Sequence, residues 1–163
     1  MSANSLPLTE IISLRPRFTR SVHLERDFFV PSAADGYVLT RGSASSISLL
    51  ARGVADPAYR AQCLSGPYGA GKSALALYVG QLLNRNTNGS LRQRAEQTLT
   101  GIARDLIPRK GTGYIPVVAT GTREGVGACL MRGLRQSLSS SGCDGLLTAL
   151  RRRRDGAGYA VEC

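Results

Sequence analysis

The sequence contains very few of the residues that bind metals or cross-link small domains. His23 is the only histidine among 163 residues, and the four cysteines stand singly, without a C-x-x-C pair. Because a zinc site of ordinary spacing needs several such ligands close together, none is expected. The scattered spacing indicates reduced thiols, and a chain of this length buries enough apolar surface to fold without disulfides.

Long apolar runs are also missing. No stretch approaches the roughly 18 uninterrupted apolar residues that a membrane-spanning helix requires. The N-terminus lacks the basic segment followed by an apolar segment that marks a secretory signal. The hydrophobic fraction of 42% and the charged fraction of 20% are those of a globular protein. We therefore expect a cytoplasmic protein of about one domain that does not contact a membrane.

Acidic residues are too few to balance the basic ones, and the net charge is +10. Lys72 and Lys110 are the only lysines, so nearly all of the basic charge is arginine. A basic balance can mark a surface that binds phosphate or nucleic acid. Arginine in place of lysine is also typical of a GC-rich coding sequence. Nucleic acid therefore remains an open alternative as a partner.

Apolar spacing predicts three regions: a flexible arm over residues 1–17, a folded region over 18–139, and a poorly ordered basic tail over 140–163. Short apolar stretches predict strands at 18–24, 62–64 and 114–119. Helical spacing predicts helices at 43–54, from residue 72, at 90–106 and at 124–138. Ser43 is the expected N-cap of the first, and Ser90 with Gln93 forms a capping-box pattern before the third. Strands alternating with helices predict an α/β sandwich around a mostly parallel sheet with flanking helices.

One segment matches G-x-x-x-x-G-K-[ST] without a mismatch. Glycines at such positions permit the backbone angles with which successive N–H groups surround a phosphate. Lys72 is the expected cation for the β- and γ-phosphates and the expected catalytic residue, and the Ser73 hydroxyl is the expected Mg²⁺ ligand. The candidate binding residues are Gly66, Pro67, Tyr68, Gly69, Ala70, Gly71, Lys72, Ser73 and Ala74.

With this motif the chain resembles the P-loop NTPase superfamily, and GPYGAGKS resembles its Walker A motif. The preceding residues resemble the N-terminal part of bacterial AAA+ or STAND-like ATPases, in which a short segment and a helix help to cover adenine. The resemblance places Tyr37, Val38 and Leu39 there and implies ATP and Mg²⁺ as ligands of a partial nucleotide-binding domain over 18–139. No N-K-x-D segment that would read guanine is present.

The resemblance is incomplete, because no strand after the loop ends in the acidic residue that such enzymes use to hold Mg²⁺ and activate water. Glu124 is the nearest candidate, several residues beyond 114–119, and Asp105 and Asp144 are the next acids to consider. The pattern predicts an ATP-binding protein that is the N-terminal fragment of a larger ATPase. A partner domain or a homo-oligomer would then supply the missing catalytic groups.

Two alternatives remain open at this point. One is a small nucleotide-dependent kinase, although the loop lies farther from the N-terminus than is usual for such enzymes. The other is a pseudo-ATPase that uses ATP as a ligand and has a basic surface facing nucleic acid.

Overall fold

The computed structural model describes residues 20–109, 112–121 and 123–156 and the single positions 7, 10, 12 and 13. In residue 105 and in residues 151–156 it describes the backbone alone. The expected arm over 1–17 lies almost wholly outside the described residues. The α-helices are α1 (Leu24–Asp27), α2 (Arg41–Ala55), α3 (Lys72–Leu83), α4 (Gly89–Leu99), α5 (Val126–Ser140) and α6 (Asp144–Gly156). Short 3₁₀ turns cover Pro57–Tyr59 and Arg104–Leu106.

The expected α/β sandwich is wrong, because the part of the chain that the structure describes contains no sheet. Its β-pairing is a single parallel bridge between Asn84 and Tyr114. The Arg85 N–H donates to the Tyr114 carbonyl over 2.9 Å, and the Tyr114 N–H donates to the Leu83 carbonyl over 2.9 Å. The architecture of the described residues is therefore helical, with turns and irregular segments between the helices.

Two of the expected strands do not form, since residues 62–64 and 115–119 have no regular secondary structure. No backbone hydrogen bond joins residues 62–64 to another described residue, and Leu64 is exposed. Residues 115–119 also lack such bonds, and Pro116 cannot donate one. At the third position, residues 20–23 are irregular and lead into α1. A short apolar stretch becomes a strand only when a neighbouring strand pairs with it, and these segments have none in the described chain.

The N-caps of two helices lie two or three residues before the expected positions. Thr40, rather than Ser43, caps α2: its hydroxyl accepts from the Ser43 N–H over 3.2 Å, and the Ser43 hydroxyl accepts from the Thr40 N–H over 2.8 Å. Asn88, rather than Ser90, caps α4, because its side-chain oxygen accepts from the Ser90 N–H over 3.0 Å. Both caps satisfy backbone donors that the first helical turn leaves unpaired.

The hydrophobic core lies between α2, α3, α4 and the second 3₁₀ turn. As expected, the stripe formed by Leu75, Tyr78, Val79 and Leu82 on α3 is buried. The predicted third helix ends at Leu99 instead of reaching residue 106, so Ile102 is exposed while Leu106 returns to the core from the 3₁₀ turn. The buried cluster comprises Ala34, Ile47, Ala51, Leu75, Tyr78, Val79, Leu82, Leu91, Ala95, Leu99, Ala103 and Leu106.

Gln81 of α3 attaches the turns after α1 to this core. It is buried, and its Nε2 donates to the carbonyls of Phe28 over 2.9 Å and Val30 over 2.7 Å. Its Oε1 accepts from the Ala34 N–H over 3.2 Å. All three bonds fix residues 28–34 against α3, and the buried amide is satisfied at both ends.

The C-terminal helices follow residues 112–121. Despite Gly127 and Gly133, α5 forms, and at Gly133 it approaches residues 117–118 so closely that a Cβ would lie 2.4 Å from the Val118 carbonyl oxygen. In the region assigned to a poorly ordered tail, the structure places α6, which packs against α5. None of the described helices combines the length and the apolar character needed to span a bilayer.

Candidate functional site

The glycine loop lies between the exposed residues 61–65 and the N-terminus of α3. Gly69 has φ 79° and Gly71 has φ 80°, both in the left-handed region that favours glycine. Gly71 is also the N-cap of α3, so no side chain caps this helix. The first-turn N–H groups therefore have no side-chain acceptor, and they lie at the positive end of the helix dipole. Such an N-terminus suits an anion.

Lys72 occupies the first position of α3, and its side chain folds back across the loop. Its Nζ donates to the Gly66 carbonyl over 2.8 Å and to the Pro67 carbonyl over 2.7 Å. The Ala70 N–H donates to the same Pro67 carbonyl over 3.3 Å. These hydrogen bonds hold the Lys72 ammonium group against the loop. The cation therefore lies beside the backbone that would surround a phosphate.

The other predicted loop residues fall into an exposed rim and a partly buried base. Tyr68 is 99% exposed at the tip, and Ser73 is exposed in the first turn of α3. Ala74 is half-buried and forms part of the wall of a cavity. The structure therefore brings Gly66–Ala74 together as one continuous loop and helix start, with the Ser73 hydroxyl accessible.

The cavity beside Ala74 has a volume of about 240 Å³. Leu77 lies one turn further along α3, and Val22, Val30 and Ala34 supply apolar wall from the segment before α2. Tyr37 lines it too and stacks on Tyr78, with ring centroids 4.6 Å apart at 21°. The lining is mainly apolar and contains one aromatic ring, and it begins at the residue after the expected Mg²⁺ ligand.

An ion pair lies at the polar side of this cavity. Arg20 donates to both carboxylate oxygens of Asp27, over 3.0 and 2.9 Å, and the His23 N–H donates to Asp27 over 2.8 Å. These bonds, above all those from Arg20, hold the pKa of Asp27 well below its usual range although the side chain is buried. Asp27 is therefore a fixed anion that positions Arg20 at the cavity.

Of the three residues that the resemblance places near adenine, Tyr37 lines this cavity, whereas Val38 and Leu39 are not among its lining residues. Val38 is 75% exposed, and Leu39 packs against the core. The sequence reasoning missed Val22, Val30, Leu77 and the Arg20–Asp27 pair. No local motif marks these residues, because they meet only when the segment before α2 packs on α3.

Of the acids considered for catalysis, Glu124 is held in an ion pair. Arg132 donates to Glu124 from Nε over 3.0 Å and from a terminal nitrogen over 2.7 Å. Its other terminal nitrogen donates to Glu25 over 2.8 Å. Asp144 is exposed in the first turn of α6, and the Asp105 side chain lies outside the described part of the structure.

Glu25 is a structural anion of this second cluster. The Thr120 N–H donates to it over 2.9 Å, and with the bond from Arg132 it lowers the pKa of Glu25 to about 2. Across the described ranges, no group of three His, Cys, Asp or Glu side chains comes close enough to hold a metal. Ser73 is not part of such a group among the described residues, so oxygens of a bound nucleotide would be further Mg²⁺ ligands.

Comparisons with protein-family models, curated proteins and solved structures found no match.

Proposed function

We propose that the protein binds Mg-ATP, with the triphosphate on the loop from Gly66 to Ala74 and the nucleoside in the adjoining cavity. The observation that carries this proposal is the uncapped N-terminus of α3, which follows two left-handed glycines and begins with Lys72. Backbone donors, a helix dipole and a cation converge there, as the binding of a polyphosphate requires.

Lys72 exchanges partners in this proposal. Its Nζ leaves the Gly66 and Pro67 carbonyls, which lie 2.8 and 2.7 Å away, for the phosphate oxygens. A bond between two charged groups is shorter and stronger than one to a neutral carbonyl, so the exchange favours the bound state. Ser73 gives its hydroxyl to Mg²⁺, and the phosphates provide further ligands.

The cavity supports a nucleoside as the group attached to the phosphates. Its volume of about 240 Å³ lies below the 300–1,000 Å³ typical of pockets that enclose a whole ligand. It therefore suits a base and its sugar, with the phosphates outside on the loop. The apolar wall and Tyr37 suit the face of a purine, and the absence of an N-K-x-D segment favours adenine.

Binding without appreciable turnover is the proposed outcome for this chain by itself. Glu124 and Glu25 share Arg132, which leaves no carboxylate of this cluster available to activate water. Arginines that stabilise phosphoryl-transfer transition states contribute about 10³–10⁵ to turnover, so a site without such groups is slow. A partner domain or a second copy of the chain would have to provide them.

The experiment is calorimetric titration with Mg-ATP, followed by phosphate release with the same samples. Lys72→Ala removes a charge-assisted contact worth about 1.5–3 kcal/mol and should weaken binding about ten- to a hundredfold. Arg41→Ala is the matched control, because it removes one exposed positive charge from α2 and leaves the loop intact. Equal affinity of Lys72→Ala and the wild type contradicts the proposal. Turnover near one per second that Lys72→Ala abolishes contradicts the expected lack of hydrolysis.

A further inference from the structure

A second concave surface lies away from the loop and is lined by basic side chains. It has a volume of about 920 Å³ and runs between the C-terminal end of α2, one face of α4 and the chain that follows α4. We call it the basic groove; its main lining residues are Arg92, Glu96, Arg104, Ile107, Pro108 and Arg109. It shares no lining residue with the nucleoside cavity.

The charge of the groove is positive even after its internal ion pair is counted. Arg92 Nε donates to Glu96 over 3.0 Å, so Glu96 neutralises one of the three arginines. The side chains of Arg104 and Arg109 are exposed and have no hydrogen bond or ion pair with another described residue, although their backbone carbonyls accept hydrogen bonds. Other arginines of the chain are engaged instead: Arg20 with Asp27, Arg94 with Asp35, and Arg132 with Glu25 and Glu124.

The shape and chemistry of the groove distinguish between classes of anion. Its volume lies at the upper end of the 300–1,000 Å³ range of small-molecule pockets, and it is open, so it suits a chain more than a compact ligand. Arginine presents a planar set of donors that matches phosphate. Ile107 and Pro108 add apolar surface to the lining, and none of the described lining residues is aromatic.

We propose that the basic groove binds the phosphodiester backbone of single-stranded nucleic acid without selecting its sequence. Arg104 and Arg109 contact successive phosphates. The carboxylate of Glu96 accepts from the Nε of Arg92 and holds this side chain in position, so the terminal nitrogens of Arg92 are available to a third phosphate. Without aromatic side chains on which bases could stack, affinity comes from the charges and depends steeply on salt.

The test compares two double variants that remove the same charge. Arg104→Gln/Arg109→Gln alters the groove, and Arg41→Gln/Arg123→Gln removes two exposed arginines that do not line it. Fluorescence anisotropy with a labelled oligothymidylate of about 20 nucleotides, repeated with a mixed sequence, measures binding from about 50 to 200 mM KCl. Circular dichroism and thermal melting establish that both variants fold.

The groove variant should bind both oligonucleotides about tenfold more weakly, and its log–log salt slope should be shallower by about 1.4, that is about 0.7 for each lost phosphate contact. The control variant should lose clearly less. Equal losses in the two variants overturn the proposal, because they show that diffuse positive charge is responsible. Undetectable binding by the wild type at the lowest salt overturns it as well.

Two further measurements distinguish nucleic-acid binding in the basic groove from a small-anion site and from binding at the loop of Lys72. Inorganic triphosphate at an equal phosphate concentration should displace the oligonucleotide poorly; complete displacement overturns the nucleic-acid assignment in favour of a small-anion site. Lys72→Ala, measured without nucleotide, should bind the oligonucleotide as the wild type does. A loss in that variant overturns the placement in the groove, whereas a failure to bind Mg-ATP leaves the groove result unaffected.

Discussion

The region around α3 and the region around α5 are held in place by different forces. Around α3, apolar side chains such as Leu82 and Leu99 are completely buried. Around α5, the buried side chains are fewer, and Arg132 binds both Glu124, eight residues earlier, and Glu25, 107 residues earlier in the sequence. Apolar burial is insensitive to pH and salt, whereas ion pairs are sensitive to both. One chain therefore contains a part whose stability depends on packing and a part whose attachment depends on charge.

The largest expected effect comes from the first region. Leu82→Ala leaves a cavity where a fully buried side chain was, so we expect a loss of about 2–5 kcal/mol in the free energy of unfolding. Leu130→Ala on α5 is the matched control, because Leu130 is 53% exposed, and its cost should stay within about 0.5 kcal/mol. Urea denaturation measures both. Similar costs for the two substitutions would remove the distinction between the regions.

A smaller effect is expected where α5 contacts residues 117–118. A Cβ at Gly133 would lie 2.4 Å from the Val118 carbonyl oxygen, which is backbone and cannot turn aside. Gly133→Ala should therefore cost about 1–3 kcal/mol, less the gain of roughly 0.5–1 kcal/mol that alanine gives inside a helix.

Gly127→Ala is the comparison variant, since nothing lies within 4 Å of a Cβ there and only the helix gain applies. Thermal melting should show Gly133→Ala below the wild type and Gly127→Ala at or above it. The reverse order would mean that α5 does not approach residues 117–118 in this way.

The smallest expected effect is the pH dependence of the contact between Glu25 and Arg132. The pKa of Glu25 is about 2 in the folded protein, whereas an unperturbed glutamate has a pKa of 4.5. The stabilisation that this carboxylate gives to the fold is therefore fully present above about pH 4.5. It is lost as the pH falls from 4.5 towards 2. The protection of amides against hydrogen exchange, corrected for the intrinsic exchange rate at each pH, should fall in α5 before it falls in α3.

Glu25→Gln removes the titrating group and should flatten this pH dependence in α5. The carboxylate of Asp27 also has a lowered pKa, and its ion pair with Arg20 protects the other end of α1. Asp27→Asn therefore serves as the control, because it should leave the pH dependence of α5 unchanged. If Asp27→Asn flattened the pH dependence of α5, the dependence would come from the Asp27–Arg20 ion pair and not from Glu25.

Local patterns predicted the helices well, because helical contacts recur every three or four residues. The stripes on α3 and α4 are buried as their spacing indicated. The helix starts were shifted because Thr40, Ser43, Asn88 and Ser90 can all cap, and spacing alone does not choose among them. The sheet was wrong because pairing depends on distant partners that residues 62–64 and 115–119 lack in the described chain.

The candidate site likewise has a part that local sequence patterns identified and a part that they did not. Gly66 to Ser73 could be identified from sequence, since the glycines and Lys72 act within one turn of backbone. The cavity could not, because Val22 and Leu77 come together only through tertiary packing. The net charge of the sequence indicated a basic surface, but the location of the basic groove depends on the packing that brings Arg92, Arg104 and Arg109 together. Whether the loop binds Mg-ATP stays a prediction.

Gln81 gives α3 a mechanical role. From Lys72 to Gln81 the helix rises about 14 Å, at about 1.5 Å per residue. One end of this rod carries the ammonium group of the loop, and the other is bonded to the carbonyls of Phe28 and Val30 and to the N–H of Ala34. Val30 and Ala34 are also wall residues of the cavity. A displacement of α3 along its axis therefore carries part of that wall with it, since separating them would break three hydrogen bonds.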